Sequence, residues 1–217
     1  SKSPLTGGVG ESQASGLWGP RLKRAGWDMI IIEGRAIYPS FLVIDNDQIE
    51  LRKADHLWGK DTHTVQKILE EELGKEFSIA QVGPAGENLV RFASIVCDLI
   101  FVNNRMGMGA VMGSKNLKAI AVRGTKDVPV ADGKKLEEIY HYFEENFLTN
   151  PLNFLTTQEG IASAVPSCNQ DGLFSTHNAQ TSFLPEGEIY SVGSFLGEGS
   201  LESVPCFSCP AQCKKRV

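Results

Sequence analysis

The chain has 217 residues, 41% hydrophobic and 22% charged, which is ordinary for one large globular domain or two small ones. Its formal net charge of −5 argues against non-specific nucleic-acid binding, because that binding needs a basic surface. No apolar run reaches the length of a bilayer span, so we expect none. We expect the chain to be an interior piece of a longer protein, since residue 1 is a serine that leads directly into a turn-like segment and the chain stops four residues after its last cysteine.

The first fifty residues predict a loop, a strand and a hairpin. Residues 1–20 are rich in glycine and serine, which indicates a surface loop or a backbone that approaches a ligand closely. The β-branched run Trp27–Gly34 predicts a buried strand. Phe41–Ile44 and Gln48–Arg52 flank Asp-Asn-Asp, a pattern typical of a β-hairpin.

A helix and two further strands follow. Asp61 or Thr62 can cap a helix that reaches Leu73, with apolar residues on one face and Gly74 as its stop signal. The apolar segments Phe77–Val82 and Leu117–Val122 predict strands.

Between these strands lies a glycine-rich stretch, with glycines at 107, 109 and 113. This spacing fits neither the dinucleotide-binding fingerprint nor a phosphate-binding P-loop. A flexible turn remains, either purely structural or an anion site beside the cations Arg105, Lys115 and Lys118.

The second part of the chain predicts one long helix followed by irregular segments. Asp132 is a helix cap, and the helix that follows should end at Asn150-Pro151. The segment Gly124–Gly133 contains a proline and marks a boundary, so we expect domains at 1–128 and 129–217. Residues 151–205 should form loops and short helices.

Three of the five cysteines, Cys206, Cys209 and Cys213, fall within eight residues at x2 and x3 spacing. Such spacing lets thiolates converge on one iron–sulfur cluster, and the x2 pair is also a zinc spacing. A redox or unpaired role for these thiols is a third reading, and both metal readings need a fourth ligand. Clustered cysteines that cannot pair among themselves indicate a reducing, cytoplasmic compartment. The four histidines show no metal-ligand spacing, and nothing distinguishes Glu87 or Asp98 from structural carboxylates.

Taken together, the glycine-rich stretch and the cysteines resemble the tungsten-containing aldehyde ferredoxin oxidoreductase family. The matching segments occur in family order and are dense up to residue 122. They are Lys2–Gly7, Ala25–Ala36, His56–Lys60, Gly83–Val90, Gly109–Val122 and the cysteine motif Cys206–Cys213.

The resemblance implies an α+β fold: an N-terminal domain of paired β-sheets with flanking helices, followed by the start of a mostly α-helical domain. It also implies a tungsten (or molybdenum) bis-pyranopterin, a [4Fe–4S] cluster bound by the three clustered cysteines, and a magnesium ion bridging the pterin phosphates. Two loops, Gln13–Gly16 and Phe101–Arg105, would hold the phosphates and the magnesium. The cofactor-binding residues implied are Gln13, Ser15, Gly16, Val102, Asn104 and Arg105.

Both loops depart from the family's usual sequence. Ser15 stands where the family has a glycine, which predicts crowding at the phosphate. Phe101 stands where the family typically has an arginine, and a phenyl ring cannot make a charge-assisted bond to phosphate. Arg105 is therefore expected to be the main cation of this site.

The activity implied is oxidation of small aldehydes to carboxylic acids, with electrons leaving through the cluster to ferredoxin or another electron carrier. The catalytic acid–base residues would lie outside this chain. A homodimer, or a complex with electron-transfer subunits, is the expected assembly. The loop departures motivate an alternative with the same cofactor and a different reaction, such as an aromatic acyl-CoA reductase-like subunit or a paralogue. A zinc or electron-transfer module without enzymatic activity is the third hypothesis.

Overall fold

The computed structural model describes residues 1–187 and 202–216, and it has the α+β fold expected from the sequence. The chain divides into two compact units, Ser1–Pro129 and Val130–Val217. The first contains a mixed β-sheet with flanking helices, and the second is built mainly of helices.

The described strands of the first unit form a single six-stranded sheet in the order β2-β1-β6-β3-β4-β5. β1 and β6 pair in parallel, and the other neighbours are antiparallel. The strands are β1 (Ser40–Asp45), β2 (Gln48–Lys53), β3 (Ser78–Gln81), β4 (Ile95–Cys97), β5 (Phe101–Asn103) and β6 (Leu117–Arg123).

The predicted hairpin is confirmed as β1 and β2, whose register places Asp45 opposite Gln48. The tight connection needs a left-handed residue, and Asn46 supplies it with φ 53°. The strands predicted over Phe77–Val82 and Leu117–Val122 are also confirmed, as β3 and β6.

Four helices flank this sheet, and the helix predicted from Asp61 is one of them. The Asp61 carboxylate accepts a hydrogen bond from the Thr64 amide at 2.9 Å, and Gly74 follows the last helical residue with φ 103°. The helices are α1 (Trp18–Ala25), α2 (Thr62–Leu73), α3 (Pro84–Glu87) and α4 (Met108–Ser114).

The core lies on both faces of the sheet, because alternate residues of each central strand point in opposite directions. On one face, Ala119 and Ala121 of β6 pack in a cluster with Val65 and Leu69 of α2. On the other face, Ile120 of β6 packs with residues of α1 and α4. Both faces of the central strands are therefore covered.

A buried ion pair joins the centre of the sheet to α3. The side chain of Lys118 on β6 is 0% exposed and that of Glu87 is 4% exposed, and they form a direct salt bridge. The other Glu87 oxygen accepts a hydrogen bond from the Gly59 amide at 2.8 Å, and the Lys118 ammonium also donates to the Lys60 carbonyl at 2.8 Å. The expectation that Lys118 flanks an anion site is therefore wrong, because its charge is neutralised inside the protein.

The glycine-rich stretch is a helix and not the flexible turn that its composition predicted. Met108–Ser114 forms α4, which packs closely on α3. A β-carbon on Gly113 would collide with the Gly86 carbonyl, and one on Gly109 would collide with the Ser94 carbonyl. The glycines are required here for the close approach of backbones.

The strand predicted over Trp27–Gly34 is wrong. The segment joins neither of the two sheets formed by the described residues. Its Met29 and Ile31 side chains are 70% and 76% exposed. β-branched residues favour strands, but a strand also needs a neighbouring strand to which it can hydrogen-bond.

Among the described residues of the second unit, three helices and a 3₁₀ segment precede a short hairpin. The elements are α5 (Gly133–Phe147), α6 (Pro151–Glu159), the 3₁₀ segment Gly160–Ala164, α7 (Val165–Gln170), β7 (Glu202–Ser203) and β8 (Lys215–Arg216). The predicted cap of α5 is confirmed, since Asp132 accepts from the Lys135 amide at 2.9 Å. Asn150 also caps α6, accepting from the amide of Leu152. Within the segment predicted as loops and short helices, residues 188–201 lie outside the described part of the chain.

Glu87→Ala is expected to lower the free energy of unfolding by about 3 kcal/mol, because it leaves the Lys118 ammonium buried without its counter-charge. Urea unfolding followed by tryptophan fluorescence measures this, since all three tryptophans lie in the first unit. Glu50→Ala is the control within the same unit: its pair with Arg52 is exposed, so the change should be below about 0.5 kcal/mol. Equal effects of the two substitutions would contradict the structural role of the buried pair.

Candidate functional site

The two loops that the sequence assigns to a cofactor lie against each other in the first unit. We refer to Gln13–Gly16 as the first loop and to Phe101–Arg105 as the second loop. Ser12, which immediately precedes the first loop, carries two of the contacts. Its carbonyl accepts a hydrogen bond from the Asn103 amide side chain at 3.1 Å, and its hydroxyl accepts from the Arg105 backbone amide at 3.2 Å.

Strand pairing decides which side chains of the second loop face the first. In the β4–β5 pair, Cys97 lies opposite Phe101 and Ile95 lies opposite Asn103. Directly opposed residues share a face of the sheet, and so do residues two apart along a strand. These four side chains therefore lie on one face, the face that carries the first loop, whereas Val102 is directed to the other face.

Gly16 and Phe101 form the closest packing contact between the loops. Gly16 is buried and adopts φ 101°, a left-handed conformation that favours glycine. A β-carbon at this position would lie 2.5 Å from the Phe101 ring. The ring itself is buried. Phe101, at the position where the family resemblance implies an arginine, therefore supports the first loop by packing.

A cavity of about 340 Å³ lies between the first loop and the sheet. Gln13 and Ser15 line it from the loop, and Cys97 and Asn103 line it from the sheet face. Trp18 closes another side, and its indole N–H donates to the Ile120 carbonyl at 3.1 Å. The cavity thus combines backbone and polar groups of the loop with an apolar wall.

Of the six cofactor-binding residues expected from the sequence, Gln13 and Ser15 line the cavity, and Gly16 is buried at the end of the first loop. Val102 is exposed on the other face of the sheet. Asn104 and Arg105 are exposed beside it. Arg105 forms an ion pair with no carboxylate among the described residues, so its charge is available to an anion.

Cys97, Asn103 and Ser12 are site residues that the sequence reasoning missed. Cys97 is buried, and burial raises the pKa of its thiol to about 12, with the nearby Asp98 carboxylate adding to the effect. The protonated thiol donates to the Asn103 side-chain oxygen at 3.7 Å. The only signal in the sequence was the alternation of residues on two short strands. Which of their side chains share a face can be determined only once the register of β4 and β5 is known.

In the second unit, the three clustered cysteines lie on the loop that joins β7 to β8. The Val204 amide donates to the Lys214 carbonyl at 2.9 Å and closes the base of this loop. The residues just before Cys209 and Cys213 are left-handed, Ser208 with φ 49° and Gln212 with φ 45°. Each left-handed residue turns the chain sharply at a cysteine.

The side chains of these cysteines are of a type that binds metals, but they are not gathered around one point in this structure. All five cysteines of the chain are free thiols, and the three on the loop are half-buried. Thiolate sulfur suits both iron–sulfur clusters and zinc. Within residues 1–187 and 202–216, no group of three histidine, cysteine, aspartate or glutamate side chains is gathered closely enough to hold a metal ion.

Comparison with known proteins places this α+β fold, with its paired loops and cysteine hairpin, in a defined class. The family model for the N-terminal domain of aldehyde ferredoxin oxidoreductase matches residues 1–124. The chain therefore belongs to the aldehyde ferredoxin oxidoreductase family.

The curated relatives are oxidoreductases. The tungsten-containing aldehyde ferredoxin oxidoreductases of Pyrococcus abyssi and Pyrococcus furiosus are 42% and 39% identical over 214 residues, which cover 98% of this chain. The WOR-like subunit of an aliphatic sulfonate oxidoreductase from Pyrococcus furiosus is 39% identical over 157 residues, 66% of this chain and 25% of that protein. The chain spans 35% of the length of the aldehyde ferredoxin oxidoreductases that it matches.

Among solved structures, the fold is similar to the active-site complex BamBC of benzoyl coenzyme A reductase in complex with 1,5-dienoyl-CoA. The TM-score is 0.79 at 29% identity, covering 99% of this chain and 35% of that one. Among the described residues, no helix combines the length and the apolar character that crossing a bilayer requires.

Gly16→Ala is expected to destabilise the chain by about 3 kcal/mol, because alanine is strained in a left-handed backbone conformation and its β-carbon would clash with the Phe101 ring. Gly34→Ala is the matched control. Gly34 has φ 68° and nothing within 4 Å of a β-carbon, so only the backbone cost of about 1 kcal/mol applies. Urea unfolding of both variants gives the difference, and equal losses would show that the ring contact is unimportant.

The Cys97 thiol should make stability fall in alkali. Its folded pKa of about 12 lies above the ordinary value of 9.0, so above pH 9 only the unfolded state loses the proton. Relative to Cys97→Ala, the wild type should lose about 1.4 kcal/mol of unfolding free energy per pH unit between pH 9 and 12. Unfolding curves of both proteins test this. Between pH 6 and 8 the difference between them should stay constant, and a constant difference up to pH 11 would refute the prediction.

Proposed function

We propose that this chain is the pterin-binding part of an oxidoreductase that converts aldehydes to carboxylic acids at a tungsten (or molybdenum) bis-pyranopterin. The observation that carries the proposal is the contact between the two loops, which the family resemblance assigns to the cofactor, around one cavity. Family membership of residues 1–124 supports it. The pterin site is assigned to residues 1–128 and a [4Fe–4S] site to residues 129–217.

The residues of the two loops suit a phosphate and its magnesium ion. The first loop offers exposed main-chain groups at Gln13 and Ser15, and Arg105 offers an available guanidinium. Main-chain carbonyls at Gln13, Ser15, Val102 and Asn104 are the proposed magnesium-side ligands, because hard cations prefer oxygen. The buried Phe101 ring takes no part in phosphate binding.

The bound cofactor would supply the two-electron redox chemistry of the aldehyde carbon. The contribution of this chain is to hold the cofactor's phosphate end, to keep the cavity wall at Cys97 and Ile95 apolar, and to exclude water there. Cys206, Cys209 and Cys213 are the proposed cluster ligands, with a fourth ligand elsewhere in the whole protein. Electrons would pass to ferredoxin or another electron-carrier protein.

A second candidate keeps the cofactor and changes the substrate. It is favoured by the structural similarity to a benzoyl coenzyme A reductase complex and by the sulfonate oxidoreductase subunit among the relatives. Under it, the protein would be an aromatic acyl-CoA reductase-like subunit or a paralogue with its own substrate. Either candidate is compatible with a cytoplasmic homodimer or a complex with electron-transfer subunits.

Full-length protein, purified without oxygen from cells supplied with tungstate, tests the proposal. We expect stoichiometric tungsten or molybdenum, extractable pterin and about four iron atoms per cluster site. Aldehydes should reduce a viologen dye, whereas aryl-CoA thioesters should not react. Activity on thioesters alone would replace the first candidate by the second.

Single substitutions test the proposed pterin site and the proposed iron–sulfur site separately. Arg105→Ala should lower pterin content at unchanged iron, because it removes the available cation. Cys209→Ser should lower iron content at unchanged pterin, and Cys168→Ser, a half-buried cysteine outside the cluster motif, is its control. Protein with stoichiometric zinc, and neither pterin nor iron, would overturn both candidates.

A further inference from the structure

We propose that Asn103 is a positioning residue of the cofactor site: its side-chain amide fastens the first loop to the edge of the sheet and so sets the loop's shape. This inference rests on the proposed function, in which the first loop holds the cofactor's phosphate end. It concerns a side chain that the cofactor need not touch.

Asn103 connects three parts of the structure. It is the last residue of β5, which is the edge strand of the described sheet. Its nitrogen donates to the Ser12 carbonyl at 3.1 Å, across 91 residues of sequence. Its oxygen accepts from the Cys97 thiol of β4 at 3.7 Å. One amide therefore links the approach to the first loop with two neighbouring strands.

The surrounding groups determine the orientation of this amide. A protonated thiol can donate, so the amide oxygen is directed to Cys97. The Ser12 carbonyl can only accept, so it requires the amide nitrogen. The reverse orientation would set two oxygen acceptors against each other. Because burial raises the pKa of Cys97 to about 12, the thiol keeps its proton through the neutral range and remains a donor to this oxygen.

Two further contacts join the region of the first loop to the second loop. The Arg105 amide donates to the Ser12 hydroxyl at 3.2 Å, and Gly16 rests on the Phe101 ring. The Asn103 bond fixes the carbonyl end of Ser12, immediately before Gln13. Its loss leaves that carbonyl free to rotate, and with it the peptide groups that follow into the loop.

Hydrogen–deuterium exchange of the full-length protein tests the inference without requiring activity. In Asn103→Ala, exchange of a peptide covering residues 11–17 should become about fivefold faster, the effect of one lost hydrogen bond on local opening. Asn103→Asp should exchange at least as fast, because a carboxylate oxygen then faces the Ser12 carbonyl. If Asn103 acted only by filling space, this near-isosteric variant would behave like the wild type. Asn88→Ala is the control: it removes an amide-to-carbonyl bond to Pro84 within α3, and exchange at 11–17 should not change.

Pterin content is measured on the same preparations. Faster exchange with at least a fivefold fall in pterin content in both Asn103 variants supports the inference. Unchanged exchange in Asn103→Ala overturns it, and so does faster exchange with wild-type pterin content. A wild-type protein that carries no pterin refutes the proposed function instead, and the exchange result then still decides whether Asn103 holds the loop.

Discussion

The buried ion pair between Lys118 and Glu87 is the constraint on which the site depends. Two charges removed from water are stabilising only if their geometry is good and their remaining hydrogen-bonding groups are satisfied. Here the Gly59 amide and the Lys60 carbonyl complete the set. The pair therefore fixes three segments at once: a central strand, the helix α3 and the turn before α2. Any sequence that keeps one charge must keep all of these partners.

That constraint extends to the second loop through helix packing. α3 is held by Glu87, and α4 approaches it so closely that Gly113 can carry no β-carbon. The chain enters α4 directly from the second loop, through the left-handed residues Met106 and Gly107. The Met106 carbonyl accepts from the Ser3 hydroxyl at 2.8 Å. The second loop thus begins as strand β5 of the sheet and leads directly into α4, so both of its ends belong to the packed core on which the first loop rests.

Elements that depend on a few neighbouring residues could be predicted from the sequence, whereas features that depend on strand pairing could not. The caps Asp61 and Asp132 and the turn at Asn46 act within a few residues, so they could be predicted. The conformation of Trp27–Gly34 could not be predicted from its composition, because a strand exists only beside a partner with which it can hydrogen-bond. The two loops of the site were assigned through resemblance. The roles of Asn103 and Cys97 could not be predicted, because they depend on the register of β4 against β5, which is not a local property of the sequence.

The buried Phe101 ring gives the first loop a defined position even though it lacks the charge of the arginine that the family resemblance implies there. An arginine there would add a cation for the phosphate, whereas the buried ring adds a flat surface on which Gly16 rests at φ 101°. Binding energy improves either when an attraction is added or when the site loses less freedom on binding. The ring and the Asn103 amide serve the second purpose, since both restrict the first loop before any ligand arrives. In the proposed cofactor site, Arg105 would then supply the charge, while the Phe101 ring and the Asn103 amide define the shape of the first loop.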